Sequence, residues 1–159
     1  MLRGGMSQRD DAASDARPSR VLFICVRNSA RSQIAEAFLK GACGAQFQVE
    51  SAGLEPGVIN PLAIATMNEV GIDISRNSTQ SVFEVYKSGK LFSYVVTVCD
   101  EASAEACPIF PGKVTRLHWA IPDPASFTGT WEEQLEAARP IRQMIADQVD
   151  AFCAQTCRR

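Results

Sequence analysis

The most chemically distinctive stretch of this sequence is CVRNSARS, in which five residues separate Cys25 from Arg31, and Ser32 follows. A loop of that length can surround a tetrahedral oxyanion with backbone N–H groups when a helix begins behind it. Arg31 can bind two anion oxygens at once, because its guanidinium group is planar and permanently charged. A helix N-terminus and a neighbouring cation also favour the nucleophilic thiolate form of cysteine. The spacing therefore predicts a nucleophilic Cys25 beneath a bound oxyanion, with Ser32 donating a hydrogen bond to its sulfur.

The candidate anion-binding residues form one continuous segment: Val26, Arg27, Asn28, Ser29, Ala30, Arg31 and Ser32. Three further side chains follow apolar runs or lie close to them, namely Cys99, Cys107 and Asp123. Each has an inert alternative: cysteine is often a core residue, and an aspartate beside prolines is often a turn residue. Cys25 could likewise be a buried cysteine that happens to precede a helix.

The elements that would position these side chains alternate between strand-like and helix-like patterns. Val21 to Ile24 is a continuous apolar run typical of a buried strand, and Cys25 follows it directly. Residues 91–98, LFSYVVTV, are the clearest strand, and Cys99 follows. A further strand predicted over 114–119 ends four residues before Asp123. Because ligands bind beyond the carboxyl ends of parallel strands, we expect the three side chains at one edge of one sheet.

The remaining patterns complete an α/β architecture. They predict a helix after Arg31 that ends near Gly41, a weak strand over 47–50, and a helix opened by Asn60 and closed by Gly71. A capping box at Thr130 opens a last helical region, which Pro140 should kink or divide. Alternation of this kind implies a parallel sheet with helices on both faces. We expect a disordered tail over 1–19, a single three-layer α/β/α domain over 20–152 with a mainly four-stranded parallel sheet, and a C-terminal tail over 153–159.

Composition excludes several function classes. The chain has 159 residues, a formal net charge of -2 and no long basic run, which argues against a nucleic-acid partner. It has no apolar stretch near the length of a membrane span and no secretory leader pattern, so we expect a cytoplasmic protein. We also expect a monomer. Its six cysteines show no zinc-type spacing, which favours thiol chemistry over a metal site.

Several segments together carry a resemblance to a known family: CVRNSARSQIAEAF, ESAG, NPLAIATMNEVGIDIS, VVTVCDEASAEACP, HWAIPDPAS and GTWEEQLEAARPIRQMI. The sequence from Val21 to about Phe152 resembles the low-molecular-weight tyrosine phosphatases, and within that fold the thioredoxin-coupled arsenate reductases. The phosphatases usually carry Ser-Pro after the arginine and a tyrosine pair after Asp-Pro. This chain has Ser32-Gln33 and Asp123-Pro124-Ala-Ser instead, which favours the reductase branch.

The resemblance implies a mechanism and its partners. Cys25 would attack arsenate, with phosphate or sulfate as competing anions, while Asp123 protonates the departing hydroxyl. Cys99 would then attack Cys25 and release arsenite, and Cys107 would attack Cys99. Thioredoxin would reduce the resulting disulfide, so the resemblance implies no tightly bound cofactor. A phosphatase acting on phosphomonoesters and a non-catalytic oxyanion or redox sensor remain as alternatives.

The chain departs from the resembled family at a few positions. Arg27 stands where many members have glycine, and Ala30 replaces a cysteine found in many relatives. Some relatives bind potassium near the loop. Asn28 and Ser51 match that pattern, but Gln80 stands where an aspartate is expected, so we predict no metal.

The remaining thiols and the single histidine are given no part in the chemistry. We interpret Cys43 as a structural residue at a helix end, and Cys153 and Cys157 as ordinary tail cysteines rather than a further relay or a weak metal pair. His118 is expected to pack beside Trp119.

Overall fold

The computed structural model describes residues 19–156. The tail predicted for residues 1–19 lies outside this range, apart from Ser19, and so does Cys157. Four strands form one parallel sheet in the order β2-β1-β3-β4. They are β1 (Ser19–Cys25), β2 (Phe47–Gly53), β3 (Tyr94–Val98) and β4 (Thr115–Trp119).

Five α-helices accompany the sheet: α1 (Arg31–Cys43), α2 (Pro61–Asn68), α3 (Val82–Lys87), α4 (Glu101–Glu105) and α5 (Trp131–Thr156). A 3₁₀ turn, Pro124–Ser126, precedes α5. None of the helices within the described range has both the length and the apolar character needed to cross a membrane.

The first strand is buried on both faces and organises the two apolar layers. Val21 and Phe23 face a cluster built with α1, α2 and α5, whereas Leu22 and Ile24 face a cluster built with α3. Because alternate residues of a strand point to opposite faces, only a continuous apolar run can fill both layers. The predicted three-layer fold with a four-stranded parallel sheet is confirmed.

The predicted helix starts are confirmed by their capping contacts. The Asn60 side chain accepts a hydrogen bond from the Leu62 N–H at 2.8 Å. Thr130 and Glu133 form the capping box reciprocally, with N···O distances of 2.8 and 3.1 Å. These contacts satisfy amides that have no partner within the helix.

The helix ends differ from those predicted. The first helix passes Gly41 and ends at Cys43, and the second ends at Asn68, ahead of the turn in which Gly71 has a φ of 80°. Pro140 lies inside α5 without dividing it. The apolar stripe of α5, including Ile141 and Ile145, is buried against the core, and this packing outweighs the local cost of the proline.

The interpretation of Cys153 as an ordinary tail cysteine is wrong. α5 continues through 153–156, residues predicted to lie in the C-terminal tail. Cys153 forms a disulfide with Cys43, which does end a helix as predicted. The two positions are 110 residues apart in the chain, so only the packing of α1 on α5 brings them together.

Candidate active site

Two of the predicted reactive cysteines lie at the carboxyl ends of neighbouring strands. Cys25 ends β1, and Ile24 is paired with Thr97 of β3, two residues before Cys99. Neighbouring strands lie about 4.8 Å apart, so this register places the two cysteines at one edge of the sheet. Both residues are buried. The edge predicted for Cys25 and Cys99 is therefore the one observed.

The segment between Cys25 and Arg31 turns its carbonyl groups outward. Four of these carbonyls accept hydrogen bonds of 2.8–3.2 Å from segment 54–60, in the pairs Leu54 to Cys25, Glu55 to Val26, Gly57 to Arg27 and Asn60 to Ser29. A trans peptide points its N–H group opposite to its carbonyl, and the described chain has no cis peptide. The amides of residues 26, 27, 28 and 30 therefore point into the loop. Within residues 19–156, only the Asn28 amide among these four has a hydrogen-bond acceptor.

That acceptor is the sulfur of Cys25, which has two hydrogen-bond partners. The Asn28 N–H donates to the sulfur at 3.2 Å, and the Ser32 hydroxyl lies 2.9 Å from it. The Ser32 oxygen already accepts a bond from the Asn28 side-chain amide at 2.8 Å. Because that bond leaves the hydroxyl proton of Ser32 free, Ser32 is oriented to donate to the sulfur. Two donors aimed at one sulfur stabilise the thiolate.

Asn28 holds the loop in shape and is completely buried. Its φ of 55° is in the left-handed region, which asparagine tolerates better than most residues. Its side chain also donates to Ser51 at 2.9 Å and accepts from the Gln80 N–H at 3.0 Å. Its carbonyl accepts from Gln33 at 3.1 Å. Asn28 therefore connects the loop to the two chain segments that contain Ser51 and Gln80.

Gly53 allows the loop to lie directly on the end of β2. A Cβ atom at this position would lie 2.7–2.8 Å from backbone atoms of residues 26–28. Those distances are shorter than real Cβ contacts, so any side chain here would displace the loop. ESAG was identified from the sequence as part of the family resemblance, but no role was predicted for its glycine.

Arg31 and Asp123 meet at the loop, as the sequence predicted. Arg31 is buried; one guanidinium nitrogen donates to the Ile121 carbonyl at 3.1 Å, and the other lies 3.5 Å from an Asp123 oxygen. The second Asp123 oxygen accepts from the Ala125 N–H at 2.9 Å, which fixes the turn that follows. The Asp123 side chain is 44% exposed. A carboxyl group beside the loop can exchange protons with a bound oxyanion.

Arg27 does not distort the loop. Asn28 is the one non-glycine residue with positive φ in the described range, so Arg27 needs no left-handed backbone. Its guanidinium extends to Gly57, where a Cβ would lie 3.0 Å from a side-chain nitrogen. The arginine at this position therefore fits the loop together with a glycine opposite it.

Burial and neighbouring charged groups change the pKa values of the Cys99 and Cys107 thiols. Burial raises the pKa of Cys99 to about 12, Cys107 adds to the rise and Arg31 opposes it, while Cys25 raises it further. Burial likewise raises the pKa of Cys107 to about 11, with Arg116 lowering it and Cys25 raising it. Cys25 and Cys99 follow paired residues of neighbouring strands, and Cys107 lines a cavity together with Thr97, two residues before Cys99. The three thiols therefore lie at one end of the sheet.

Cys107 is the more accessible of the two outer thiols. It is partly exposed and lines a cavity of about 200 Å³ together with Arg116 and His118. The segment between Cys99 and Cys107 contains α4, whose first turn is capped by Asp100 accepting from the Ser103 N–H at 2.8 Å. Cys107 is therefore placed where a reductant could approach it from outside.

The expectation for His118 is wrong. His118 is exposed, and its Nδ1 atom lies 2.7 Å from the Thr97 hydroxyl, whereas Trp119 is buried in the core on the opposite face of β4. Adjacent residues of a strand cannot share a face, so the two side chains do not pack together.

The residues that resemble a potassium site do not fit a cation. Asn28 and Gln80 both direct side-chain N–H groups into this cluster, and Gln80 donates to the Ser51 carbonyl at 3.0 Å. The Ser51 hydroxyl donates to Glu36 at 2.6 Å. The side-chain N–H groups of Asn28 and Gln80 point where a cation would need oxygen ligands, and the absence of a metal stays a prediction.

The chain belongs to the low-molecular-weight phosphotyrosine protein phosphatase family, whose pattern matches residues 20–159. Its curated relatives include an arsenate reductase of Bacillus subtilis, which is 40% identical over 134 residues, covering 83% of this chain and 93% of the relative. A solved structure described as an arsenate reductase in the phosphate binding state has a TM-score of 0.67 and 31% identity, covering 86% of this chain and 98% of that one. A thioredoxin-dependent arsenate reductase of Corynebacterium glutamicum has a TM-score of 0.58 and 27% identity, covering 92% and 72% respectively.

Proposed function

We propose that this protein reduces arsenate to arsenite through a cysteinyl adduct and a thiol relay that thioredoxin regenerates. The observation that carries the proposal is the placement of three free thiols at the end of the sheet that holds the anion loop, with Cys25 at the base of that loop. A phosphatase hydrolyses its cysteinyl intermediate with water and needs no second thiol. Two further coupled thiols match a reaction that must supply two electrons. The names of the relatives support the same substrate.

The first step binds arsenate and forms the adduct. The inward amides and Arg31 hold the oxyanion, and the Cys25 thiolate attacks arsenic. An arsenic–oxygen bond breaks, and the hydroxide leaves as water with a proton from Asp123. Asn28 and Ser32 orient the attacking sulfur through the contacts described above.

The second step transfers the electrons. Cys99 attacks the Cys25 sulfur, the sulfur–arsenic bond breaks, and its electron pair stays on arsenic, which leaves as arsenite. The Cys99 thiol gives up its proton as its sulfur bonds to Cys25, and the departing arsenite takes up that proton.

The last steps move the disulfide outward and reduce it. Cys107 attacks Cys99, which frees the Cys25 thiolate and leaves a disulfide between Cys99 and Cys107. The dithiol of thioredoxin then reduces that disulfide and becomes oxidised itself. The partial exposure of Cys107 suits this exchange, since thiol attack requires access to a sulfur.

Cys107→Ser tests the relay. With arsenate, thioredoxin, thioredoxin reductase and NADPH, we expect one arsenite per enzyme followed by a stop, with Cys25 and Cys99 joined in a disulfide. Cys43→Ser is a matched control, because Cys43 lies at the far end of α1, and it should sustain turnover. Continued arsenite production by Cys107→Ser would contradict the relay.

A phosphatase is the second candidate, because Cys25, Arg31 and Asp123 together also suit hydrolysis of a phosphomonoester. That function predicts phosphate release from p-nitrophenyl phosphate that survives both Cys99→Ser and Cys107→Ser. If those variants keep full phosphatase turnover and the wild type makes no arsenite, the second candidate replaces the first.

A further inference from the structure

A second pair of cysteines lies away from the site and is joined in the structure. Cys43 ends α1, Cys153 lies in the last turns of α5, and their Cα atoms are 6.2 Å apart. That separation is within the usual range for a disulfide. Both residues are partly exposed and pack against the larger apolar cluster.

The cysteine pair and the anion loop lie at opposite ends of the strands of the sheet. Phe152, next to Cys153, contacts Phe47 and Tyr94, with ring centroids 5.5 and 5.0 Å away. Phe47 and Tyr94 are the first residues of β2 and β3, whereas Cys25 is the last residue of β1. The helix α1 connects the two regions, and its 13 residues span roughly 20 Å.

This distance separates the pair from the relay. Thiol–disulfide exchange needs direct contact between the attacking sulfur and a disulfide sulfur. Neither Cys43 nor Cys153 can make that contact with Cys25 across the length of a helix. We infer that Cys43 and Cys153 form a second thiol–disulfide site, which exchanges with small disulfides and dithiols and sets the folding stability of the domain without taking part in turnover.

A small disulfide is the oxidant that accounts for the two electrons lost when the pair is joined. One thiolate of the pair attacks the small disulfide, forms a mixed disulfide and releases one small thiol. The other thiolate then attacks the mixed disulfide, closes the bond between Cys43 and Cys153, and releases the second small thiol. The pair loses two electrons, which the two released thiols carry. A dithiol reductant reverses both steps.

The crosslink acts on stability because of its position. It closes a chain segment of 110 residues, which restricts the unfolded chain strongly. It also fastens the last turns of α5, which would otherwise fray as a helix end. We expect closure to lower the unfolding equilibrium constant by a factor on the order of 10²–10³.

The test compares the wild type with Cys43→Ala/Cys153→Ala, both in a Cys157→Ala background so that the C-terminal peptide holds one cysteine at most. Each protein is incubated with oxidised glutathione or with dithiothreitol, followed by peptide mass mapping and urea unfolding. Oxidised wild type should show the Cys43–Cys153 peptide and the predicted increase in stability. The double variant should lose that increase and show only the smaller redox-dependent difference that the relay thiols cause. Cys107→Ser, which lacks a relay thiol, should keep the redox-dependent difference.

Three results would overturn the inference. One is oxidised protein in which Cys43 and Cys153 remain unlinked to each other. Another is a redox-dependent stability difference in the double variant as large as that of the wild type, because the relay thiols would then be its source. The third is loss of steady arsenite production by a folded double variant. The mapping and unfolding results do not depend on the reaction proposed above.

Discussion

Replacing Gly53 with alanine should weaken anion binding selectively. The added Cβ would lie 2.7 Å from the Asn28 amide nitrogen and 2.8 Å from backbone atoms of Val26 and Arg27. Ordinary van der Waals contact begins near 3.4 Å, and all three contacts are backbone atoms that cannot rotate away. Overpacking of this kind costs about 1–3 kcal/mol. If the loop is displaced to relieve it, anion affinity falls by roughly 5- to 150-fold.

The assay measures phosphate affinity by titration and the arsenate KM of the same preparation, together with urea unfolding. Gly41→Ala is the matched control, because its Cβ would meet nothing within 4 Å. Gly41 lies inside α1, so alanine there should stabilise the protein by about 0.5–1 kcal/mol and leave phosphate affinity unchanged. If Gly53→Ala binds phosphate as tightly as wild type, the claim that this glycine supports the loop is refuted.

Three further predictions follow from the site and from burial. Asn28→Ala should lose about 4 kcal/mol in urea unfolding. About 1 kcal/mol comes from each of three side-chain hydrogen bonds, two buried and one partly buried, and about 1 kcal/mol from the left-handed backbone. Asn28→Gly should be about 1 kcal/mol more stable than Asn28→Ala, and the reverse order would exclude the backbone contribution. Asp123→Asn should slow single-turnover adduct formation by roughly 10²–10⁴-fold with little change in phosphate affinity, since the bond to the Ala125 N–H can persist. Burial raises the pKa of Cys99 to about 12, so the folded state keeps the thiol proton that the unfolded chain loses above about pH 9. The contribution of Cys99 to the free energy of unfolding is therefore complete below about pH 9 and is lost as the pH rises toward about 12. In Cys99→Ser, the free energy of unfolding measured with urea should fall less steeply over that range.

Strand ends were the most predictable part of the site. Apolar runs locate the strands, and the rule that parallel strands end at one edge then brings Cys25 and Cys99 together. The same reasoning placed Asp123 near Arg31, which the structure confirms at 3.5 Å. Each step needed only residues close in sequence and one general rule of sheet geometry.

The supports of the loop were not predictable in this way. Asn28 was included as one residue of an anion-binding segment, but its contacts with Ser51 and Gln80 span 23 and 52 residues. No local pattern indicates which distant segment packs beneath a loop. The glycine of ESAG was a signal, because a glycine at a strand end often marks a close backbone approach.

The expectations for Pro140 and Cys153 differ from the structure for a similar reason. Pro140 has a strong local preference against helix, yet the buried stripe of α5 keeps that helix continuous. Cys153 has no local partner, yet α5 lies against α1 and places it beside Cys43. The free-energy cost of an unfavourable local preference is small compared with the free energy gained when a long helix buries its apolar face.

The sequence by itself determined the order of the four strands and of the three longer helices, the anion loop, and the nucleophile with its arginine. These features depend on periodicity and on spacings of a few residues, which the chain carries wherever it folds. Only the tertiary structure decided what holds the loop in shape, how the thiols influence one another, and which cysteines are joined. Those features are contacts between residues far apart in the chain, and packing of the layers sets the distances on which hydrogen bonds, charge interactions and disulfides depend.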